Sequence, residues 1–399
     1  MAKARNTGKK AAVRAAKLIF ADARAGIWAA DESMPEKLEE VLDRLPFKRA
    51  IKKGDYVPIK MHFGSEGAFQ TIRPRFVAAV VDRVRSVGGK PFVADTTRIH
   101  GLEYLELARR SGYDFSTLGC PVVMADGVFG LDHVVVENPD AQVMKKTNIA
   151  SSIYYAPAMV VLSHAKGHVC AGLGGALKNL AMGCVSRTTC SGESSRGYMH
   201  SLENRPPDWH VEKCTFCRTC LATCPESAIT IDPKKRLWHV DAKKCVRCFR
   251  CVHSCPTGAL QDPMGAERFG TAMAESARAA LSTFKPGRVI YISFVMDFTP
   301  DCDCMPMSDT PVVQDQGILA GTDPVAIDAA TLDLVDKARP LPQSRAEDEG
   351  VTEPASGVLE KVTKHSAWIH VKAAERLGLG TTRYKLEVVK RRRKPKGRN

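Results

Sequence analysis

The chain has 399 residues, of which 44% are hydrophobic and 26% are charged. This composition excludes a disordered or fibrous protein, and the length predicts two or three globular domains. No apolar run approaches the ~20 residues that a membrane helix needs, so we expect no membrane span and a cytoplasmic location. The fourteen cysteines favour the same reducing compartment, because eight of them follow a spacing that requires reduced thiolates.

The net charge of +14 is concentrated at the two ends of the chain. The first seventeen residues carry six basic side chains and the last ten residues carry seven, with no acidic side chain in either stretch. Basic ends of this kind are usually solvated, and we predict that residues 390–399 form a disordered tail. Nucleic-acid binding is therefore not the expected function, although an RNA-associated role through the tails remains an alternative.

Strands and helices alternate along the chain. Apolar runs predict strands at residues 17–23, 55–62, 91–94, 121–125, 158–162 and 288–296, and amphipathic spacing predicts helices at residues 35–45, 76–87, 102–110 and 266–284. A further helix is expected to start at Pro324 with Asp323 as its N-cap. Residues 340–357 are interpreted as a surface loop or linker. The alternation predicts an α/β fold with a mostly parallel sheet and helices on both faces.

Polar side chains follow four successive predicted strands. They are Lys60, His62, Asp95, Asp126, His164, Lys166 and His168. Ligands of such sheets bind beyond the carboxyl ends of the strands, so these groups are expected to converge on one cleft. There the histidines would donate protons, and Lys60 or Lys166 would hold an anionic substrate. The alternative is that each side chain is an ordinary cap or turn residue.

A glycine-rich turn at residues 172–175 leads into a helix that carries Lys178. The backbone N–H groups at the start of this helix would hold an anion with help from Lys178, or the glycines would only allow close helix packing. The motif does not distinguish these two interpretations. Cys184 follows the helix.

Two cysteine runs with the spacing C-x2-C-x2-C-x3-C-P lie between Cys214 and Pro256. In two-cluster ferredoxins the fourth cysteine of each run binds the other cluster. The spacing therefore predicts a first [4Fe-4S] cluster on Cys214, Cys217, Cys220 and Cys255, and a second on Cys245, Cys248, Cys251 and Cys224. Zinc knuckles or disulfides are the alternative, but they do not require four matched cysteines and a proline in each run.

The cysteine runs interrupt the α/β rhythm, which resumes after them. We therefore predict an inserted ferredoxin-like module at residues 206–264 between two parts of one α/β domain, residues 17–205 and 265–389. A module of this size has little apolar core, so the clusters would themselves be its core.

The predicted strand at residues 288–296 is followed by Asp301, Cys302, Asp303 and Cys304, which should lie at the same cleft. Two thiols beside an aspartate would bind a soft metal or a further cluster, together with Cys184 or a cleft histidine, or would form a redox pair. A polar turn with two incidental cysteines is the remaining interpretation.

These motifs together resemble the DUF362 family, proteins of unknown function that are often described as iron–sulfur centre proteins. The ordered segments are KMHFG, ADTT, MADG, SHAKGH, GGALKNLAMGC, the two cysteine runs, DCDC and GTDPVAID. The resemblance extends from about residue 17 to residue 389 and implies a discontinuous α/β domain with a ferredoxin-like insert and two [4Fe-4S] clusters. The chain departs from the family at residues 188–198, where a short Gly-Lys link is expected.

At the level of the fold the family is also similar to the nickel-pincer lactate racemases, whose site uses Lys and His. The family has no settled reaction and implies no substrate. We therefore expect a redox protein, in the manner of an iron–sulfur oxidoreductase, whose clusters pass single electrons to the cleft. The alternative is a pure electron carrier or docking protein that serves an unknown redox partner.

Overall fold

The computed structural model describes residues 15–389 except 27, 98–100, 188–195, 201–205, 246–248 and 262–264. The strands are β1 (Ala16–Asp22), β2 (Tyr56–Lys60), β3 (Lys90–Asp95), β4 (Val122–Met124), β5 (His133–Glu137), β6 (Lys146–Ala150), β7 (Met159–His164), β8 (Lys166–His168), β9 (Gly172–Gly174), β10 (Asp208–Trp209), β11 (Ile229–Asp232), β12 (Leu237–Val240), β13 (Leu260–Gln261), β14 (Val289–Val295), β15 (Gly317–Gly321) and β16 (Tyr384–Val388).

The helices alternate with these strands. They are α1 (Met34–Arg44), α2 (Phe47–Ala50), α3 (Pro74–Ser86), α4 (Gly101–Arg110), α5 (Phe115–Leu118), α6 (Ser151–Tyr154), α7 (Ala176–Ala181), α8 (Arg196–His200), α9 (Thr219–Ala222), α10 (Arg250–His253), α11 (Ala266–Ser282), α12 (Pro324–Lys337), α13 (Arg345–Asp348), α14 (Val358–Thr363) and α15 (Trp368–Arg376). None of these helices has the length and apolar character that crossing a bilayer requires.

Eight strands form one central sheet in the order β16-β1-β15-β14-β7-β2-β3-β4. The two pairs that involve β15 are antiparallel, and the other pairs in this sheet are parallel. The mostly parallel α/β fold expected from the sequence is therefore confirmed. The antiparallel strand β15 was not predicted, because its five residues begin and end with glycine and give no apolar run of ordinary strand length.

The sheet is buried on both faces. Successive residues of β7 alternate between two apolar cores: Met159 and Val161 belong to one, and Val160 and Leu162 belong to the other. Helices α7, α11, α12 and α15 pack together on the first face, and α1, α3 and α5 cover the second. This double burial is the reason that the strands are continuous apolar runs rather than alternating ones.

The predicted helices form at nearly the predicted residues. Asp323 caps α12 as expected, since its carboxylate accepts a hydrogen bond from the Ala326 N–H at 2.9 Å. The region at residues 340–357 is more structured than the expected loop, because it contains α13 and buries Ala346 and Val351. These two apolar side chains belong to the first core.

The cysteine-rich segment lies in the chain between β7 and β14, which are neighbours in the central sheet. It forms two small antiparallel pairs of its own, β10 with β13 and β11 with β12. Among its described residues, the apolar cluster has four buried members, Ile229, Trp238, Val240 and Leu260, with five cysteines packed against them. A core this small does not stabilise a domain alone, which fits a module that is completed by metal.

Candidate functional site

A cleft of about 200 Å³ lies at the carboxyl ends of β2, β3 and β7, where one wall is contributed by the cysteine-rich segment. The side chains predicted from strand ends are brought together there. Those that line it are Lys60, His62, Asp95, His164, Lys166 and His168. The expected convergence therefore occurs, because parallel strands present their carboxyl ends at one edge of the sheet.

Lys60 and Asp95 form a buried ion pair at the base of the cleft. The Lys60 Nζ lies 2.8 Å from Asp95 Oδ1 and also donates to Asn179 Oδ1 at 2.8 Å. Burial alone would raise the pKa of the Asp95 carboxyl, but the nearby charges of Lys60 and His62 outweigh burial and hold the pKa well below its ordinary value. The Lys60 charge is thus already balanced inside the protein.

His62 is oriented by the same carboxylate. Its Nδ1 lies 2.9 Å from Asp95 Oδ2, and the Tyr104 hydroxyl donates to that oxygen at 2.6 Å. Within the described residues, His62 Nε2 is buried without a hydrogen-bond partner. Since the other ring nitrogen is held by Asp95, Nε2 is the nitrogen that His62 can present to a ligand in the cleft.

His164 and Lys166 converge on Asp303. His164 Nδ1 lies 3.0 Å from the Asp303 carboxylate, and Lys166 Nζ lies 2.9 Å from it. His164 Nε2 lies 3.0 Å from the carbonyl oxygen of Met296, so each ring nitrogen faces an oxygen acceptor. Burial would raise the pKa of Asp303, but His164 and Lys166 outweigh burial and lower it.

Lys166 is buried beside this carboxylate. Burial alone would lower its pKa, but Asp303 raises the pKa above the ordinary value. We expected Lys60 and Lys166 to hold an anionic substrate. Each instead forms an ion pair with a buried carboxylate of the protein.

His168 has a different arrangement. Its Nδ1 accepts hydrogen bonds from the backbone N–H groups of Cys170 and Ala171, each at 3.1 Å. Nδ1 therefore carries the lone pair, and the proton of the neutral ring is on Nε2. The turn that follows β8 positions the His168 ring. This could not be predicted from the sequence, because it depends on the backbone conformation of the turn.

Cys302 and Cys304 lie beside this ring. A donor atom of His168 and the two sulfur atoms all lie within 4.8 Å of one another. The Cys304 N–H donates to Cys302 Sγ at 3.4 Å, and Lys178 Nζ lies 3.5 Å from the same sulfur. The hydrogen bond from the Cys304 thiol, together with Lys178 and Lys166, lowers the pKa of Cys302 against the effect of burial.

Cys184 does not join this group, which corrects one candidate ligand. Its sulfur is fully buried in the first apolar core and contacts the carbonyl oxygen of Asn179 at 3.9 Å. Burial raises the pKa of Cys184 to about 12. Such a thiol stays protonated and serves as a small apolar side chain. The cleft histidine that accompanies Cys302 and Cys304 is His168.

Two further predicted sites, the strand-end Asp126 and the N-terminus of α7, have structural explanations. Asp126 does not line the cleft; its carboxylate accepts hydrogen bonds from the backbone N–H groups of Thr97 and Arg187 at 2.7 and 2.9 Å. The N-terminus of α7, where an external anion was one expectation, is occupied by the protein's own Asp328. Asp328 accepts from the N–H groups of Ala176 and Leu177, which leaves no room for another anion.

The predicted cluster ligands surround two separate small cavities in the module. One is lined by Cys214, Cys217, Cys220 and Cys255, and the other by Cys224, Cys245 and Cys251. Cys248, the remaining predicted ligand, lies outside the described residues. Each cavity thus combines cysteines from both runs in the crossed manner that the spacing predicts.

The backbone around these cavities adopts left-handed conformations at several residues beside the cysteines. Phe216, Arg218 and Phe249 all have positive φ angles between 54 and 65°, which is rare for residues with a side chain. The Ala228 N–H donates to Cys224 Sγ at 3.3 Å. A backbone N–H turned toward sulfur stabilises thiolate charge, so the donor set and this hydrogen bond both fit an iron–sulfur cluster.

The second cavity shares a wall with the cleft. Pro225, Glu226 and Arg250 line both of them. The Arg250 guanidinium donates to the carbonyl oxygen of Cys304 at 2.9 Å, and His253 Nε2 lies 3.1 Å from Cys170 Sγ. The module is therefore in direct contact with the polar end of the cleft through its second cysteine run.

Sequence reasoning missed several cations of the cleft. Arg187, Arg196 and Arg250 line it in addition to the two predicted lysines and to Lys178, which was expected to help hold an anion. Arg187 pairs with Glu226 at 2.9 Å, whereas Arg196 Nε is buried without a partner among the described residues. Arg196 and Arg187 flank the segment 188–195, which lies outside the description, so only their position in the fold reveals them.

The fold and the site define a class: an α/β protein with a sheet-edge cleft and an inserted module that presents two sets of cysteines. A family model for a domain of unknown function, DUF362, matches residues 57–333. This chain therefore belongs to the DUF362 family, as its ordered motifs indicated.

Among solved structures, the chain is similar to the lactate racemase apoprotein from Thermoanaerobacterium thermosaccharolyticum at 12% sequence identity and a TM-score of 0.32. The match covers 71% of this chain and 56% of the racemase, so the chain spans little more than half the length of that protein. No curated protein matches the sequence.

Proposed function

We propose that this protein is a redox protein that binds two [4Fe-4S] clusters and transfers single electrons between them and the cleft of the α/β domain. The wall shared by the second cysteine cavity and the cleft carries this proposal. A cluster held by Cys224, Cys245, Cys248 and Cys251 would be the one next to the cleft. The other cluster, on Cys214, Cys217, Cys220 and Cys255, would receive electrons from an external partner.

The clusters, when bound, supply one-electron transfer at potentials set by ligation and local charge. Side chains of the protein would adjust these potentials. Arg250 lies between the second cysteine set and the cleft, and its positive charge favours the reduced state of a nearby cluster. A cytoplasmic setting is part of the proposal, because thiolate ligands require a reducing compartment.

The cleft is suited to an anionic small molecule. Lys178 and Arg196 line it, and neither lies within ion-pair distance of a carboxylate in the described part of the chain. Such partly desolvated cations attract carboxylate or phosphate groups more strongly than exposed ones. His62 Nε2 has no partner among the described residues, so it is the nitrogen through which this ring would exchange a proton with a ligand, while Asp95 holds Nδ1.

The decisive experiment is anaerobic reconstitution followed by iron and sulfide analysis and electron paramagnetic resonance of the reduced protein. We expect about 8 irons per chain and two interacting one-electron signals, because each cubane cluster holds four irons. A chain that binds zinc in its cysteine runs and retains no iron–sulfur signal would contradict the proposal.

A further inference from the structure

The group formed by His168, Cys302 and Cys304 is not assigned by the cluster spacing. Cys302 is 1% exposed, whereas Cys304 is half-buried and lines the cleft. The three donor atoms lie within 4.8 Å of one another, which is the size of a site for a single ion or for a pair of reacting thiols. They are too close together to surround a cluster of four irons, so a third cluster does not fit.

The orientation of His168 argues against a metal ion. A histidine that binds a metal through one nitrogen normally donates the proton of the other to an acceptor. Here the Nδ1 of His168 accepts two backbone N–H hydrogen bonds, so Nε2 must keep the proton in the neutral ring. Binding a metal at Nε2 would require the loss of that proton, and the ring would become an anion.

The charges around Cys302 also argue against a metal ion at this group. Lys178 lies 3.5 Å from Cys302 Sγ, and Lys166 and His62 also act on this thiol. Arg250 reaches the carbonyl oxygen of Cys304 from the module. The carboxylate of Asp303 is already paired with His164 and Lys166. Added positive charge is disfavoured in this environment, whereas a thiolate anion is stabilised.

We propose that Cys302 and Cys304 form a reversible disulfide at the cleft and act as a two-electron store. Reduction breaks the bond between the two Sγ atoms and adds two electrons. Cys304 takes up one proton, and Cys302 stays a thiolate beside Lys178 and the Cys304 N–H. Reoxidation by an acceptor disulfide in the cleft passes both electrons to that acceptor. One cysteine thiolate attacks the acceptor, breaks its S–S bond and releases its first sulfur as a thiolate, which leaves a mixed disulfide; the second cysteine then loses its proton, attacks the mixed disulfide, releases the other acceptor sulfur as a thiolate and closes the intramolecular bond.

The source of the electrons in the cell rests on the proposed function. Two successive one-electron transfers from reduced clusters would reduce the disulfide once. The contact between Arg250 and Cys304 places the dithiol next to the second cysteine run. The pair would thus convert single electrons into the two-electron steps that most organic substrates require.

The test is a thiol–disulfide titration of the full chain, whatever its iron content, in anaerobic buffers of reduced and oxidised dithiothreitol. Samples are quenched with acid, alkylated with N-ethylmaleimide, digested with trypsin and analysed by mass spectrometry. The tryptic peptide 289–337 contains Cys302 and Cys304 and no other cysteine, so its state is read without interference from the cluster ligands. We expect a single two-electron transition between a doubly alkylated peptide and an unalkylated peptide lighter by two hydrogens.

Controls separate this site from the rest of the chain. Cys302→Ser and Cys304→Ser should abolish the transition, and Cys184→Ser should leave it unchanged because that thiol is buried elsewhere. Complete alkylation of both cysteines at every buffer ratio would overturn the proposal. So would one zinc ion per chain that survives dialysis in the wild type and is lost in Cys302→Ser. The titration uses dithiothreitol, so its outcome is independent of the iron content that tests the proposed function.

Lys178 provides a second readout. In a Cys304→Ser background, Lys178→Met should shift the pH profile of Cys302 alkylation by iodoacetamide to higher pH, and Lys178→Arg should restore it. About tenfold slower alkylation at neutral pH corresponds to a shift of ~1 pKa unit in the thiol. An unchanged profile in Lys178→Met would show that the ammonium does not stabilise the thiolate.

Discussion

The Arg250 guanidinium of the cysteine-rich module donates a hydrogen bond to the carbonyl oxygen of Cys304, with a distance of 2.9 Å from Nη2 to oxygen. Arg250 precedes Cys251, one of the predicted ligands of the second cluster, and Cys304 lies at the cleft. Together with the contact between His253 and Cys170, this hydrogen bond links the two parts of the molecule that the sequence presents as separate motifs. It also makes the coupling between them testable.

Replacing Arg250 should change one cluster and spare the other. We expect Arg250→Gln to make the potential of the second cluster more negative by tens of millivolts, since a nearby cation stabilises the reduced form. Arg218→Gln is the matched control, because Arg218 lies between two predicted ligands of the first cluster. Potentiometric titration followed by electron paramagnetic resonance measures both. A shift of the same cluster in both variants would contradict this assignment.

The crossed ligands predict which cysteine belongs to which cluster. Cys217→Ser should remove the first cluster, leave about 4 irons per chain and partly unfold the module. Cys224→Ser should instead resemble Cys245→Ser in its spectrum, although Cys224 is in the same run as Cys217. Iron analysis and electron paramagnetic resonance distinguish these cases. If Cys224→Ser matched Cys217→Ser, each run would hold its own cluster and the crossing would be wrong.

The buried ion pair of Lys60 and Asp95 predicts that substitutions of these two residues have non-additive effects on the free energy of unfolding. Lys60→Met should destabilise the protein by about 3–5 kcal/mol, because it leaves a buried carboxylate with one cation fewer. The double variant Lys60→Met/Asp95→Asn should lose less stability than the sum of the two single variants. Urea unfolding followed by tryptophan fluorescence measures all four proteins. Additive losses would show that the two charges do not interact in the folded chain.

His370 predicts a loss of stability in acid. This residue of α15 is 2% exposed, and burial lowers its pKa to about 4. Because the unfolded ring titrates at ~6.5, the unfolded state binds more protons between those two values, and stability falls as the pH drops through this window. The largest contribution is about 3 kcal/mol. We expect His370→Gln to reduce the difference between urea unfolding at pH 7.5 and at pH 5, compared with the wild type.

Much of the fold could be predicted from the sequence, because it depends on local patterns. Continuous apolar runs mark strands such as β7 and β14, which are buried on both faces, and amphipathic spacing marks α1 and α3. The cap of α12 follows from Asp323 and Pro324. The strand β15 was not predicted. A five-residue run bounded by glycines is too weak a strand signal, and its antiparallel position in the sheet depends on the neighbouring strands.

The candidate site was also predicted in part: the sequence identified several of its residues, but not how they pair. Strand-end positions identified Lys60, His62 and Asp95, since parallel strands end together. The pairing of Lys60 with Asp95 and of Lys166 with Asp303 was not visible, and it changes these lysines from expected anion ligands into balanced charges. Likewise, the α7 N-terminus was open to an anion in the sequence, whereas α12 supplies Asp328 to it in the folded chain.

By itself, the sequence determined the family, the mostly parallel sheet and the two cysteine sets, because motif order, apolar periodicity and ligand spacing are properties of neighbouring residues. Only the tertiary structure decided that His168, rather than Cys184, accompanies Cys302 and Cys304, and that Arg250 joins the module to the cleft. Contacts between residues far apart in the chain depend on how helices and loops pack, and no local pattern encodes that packing.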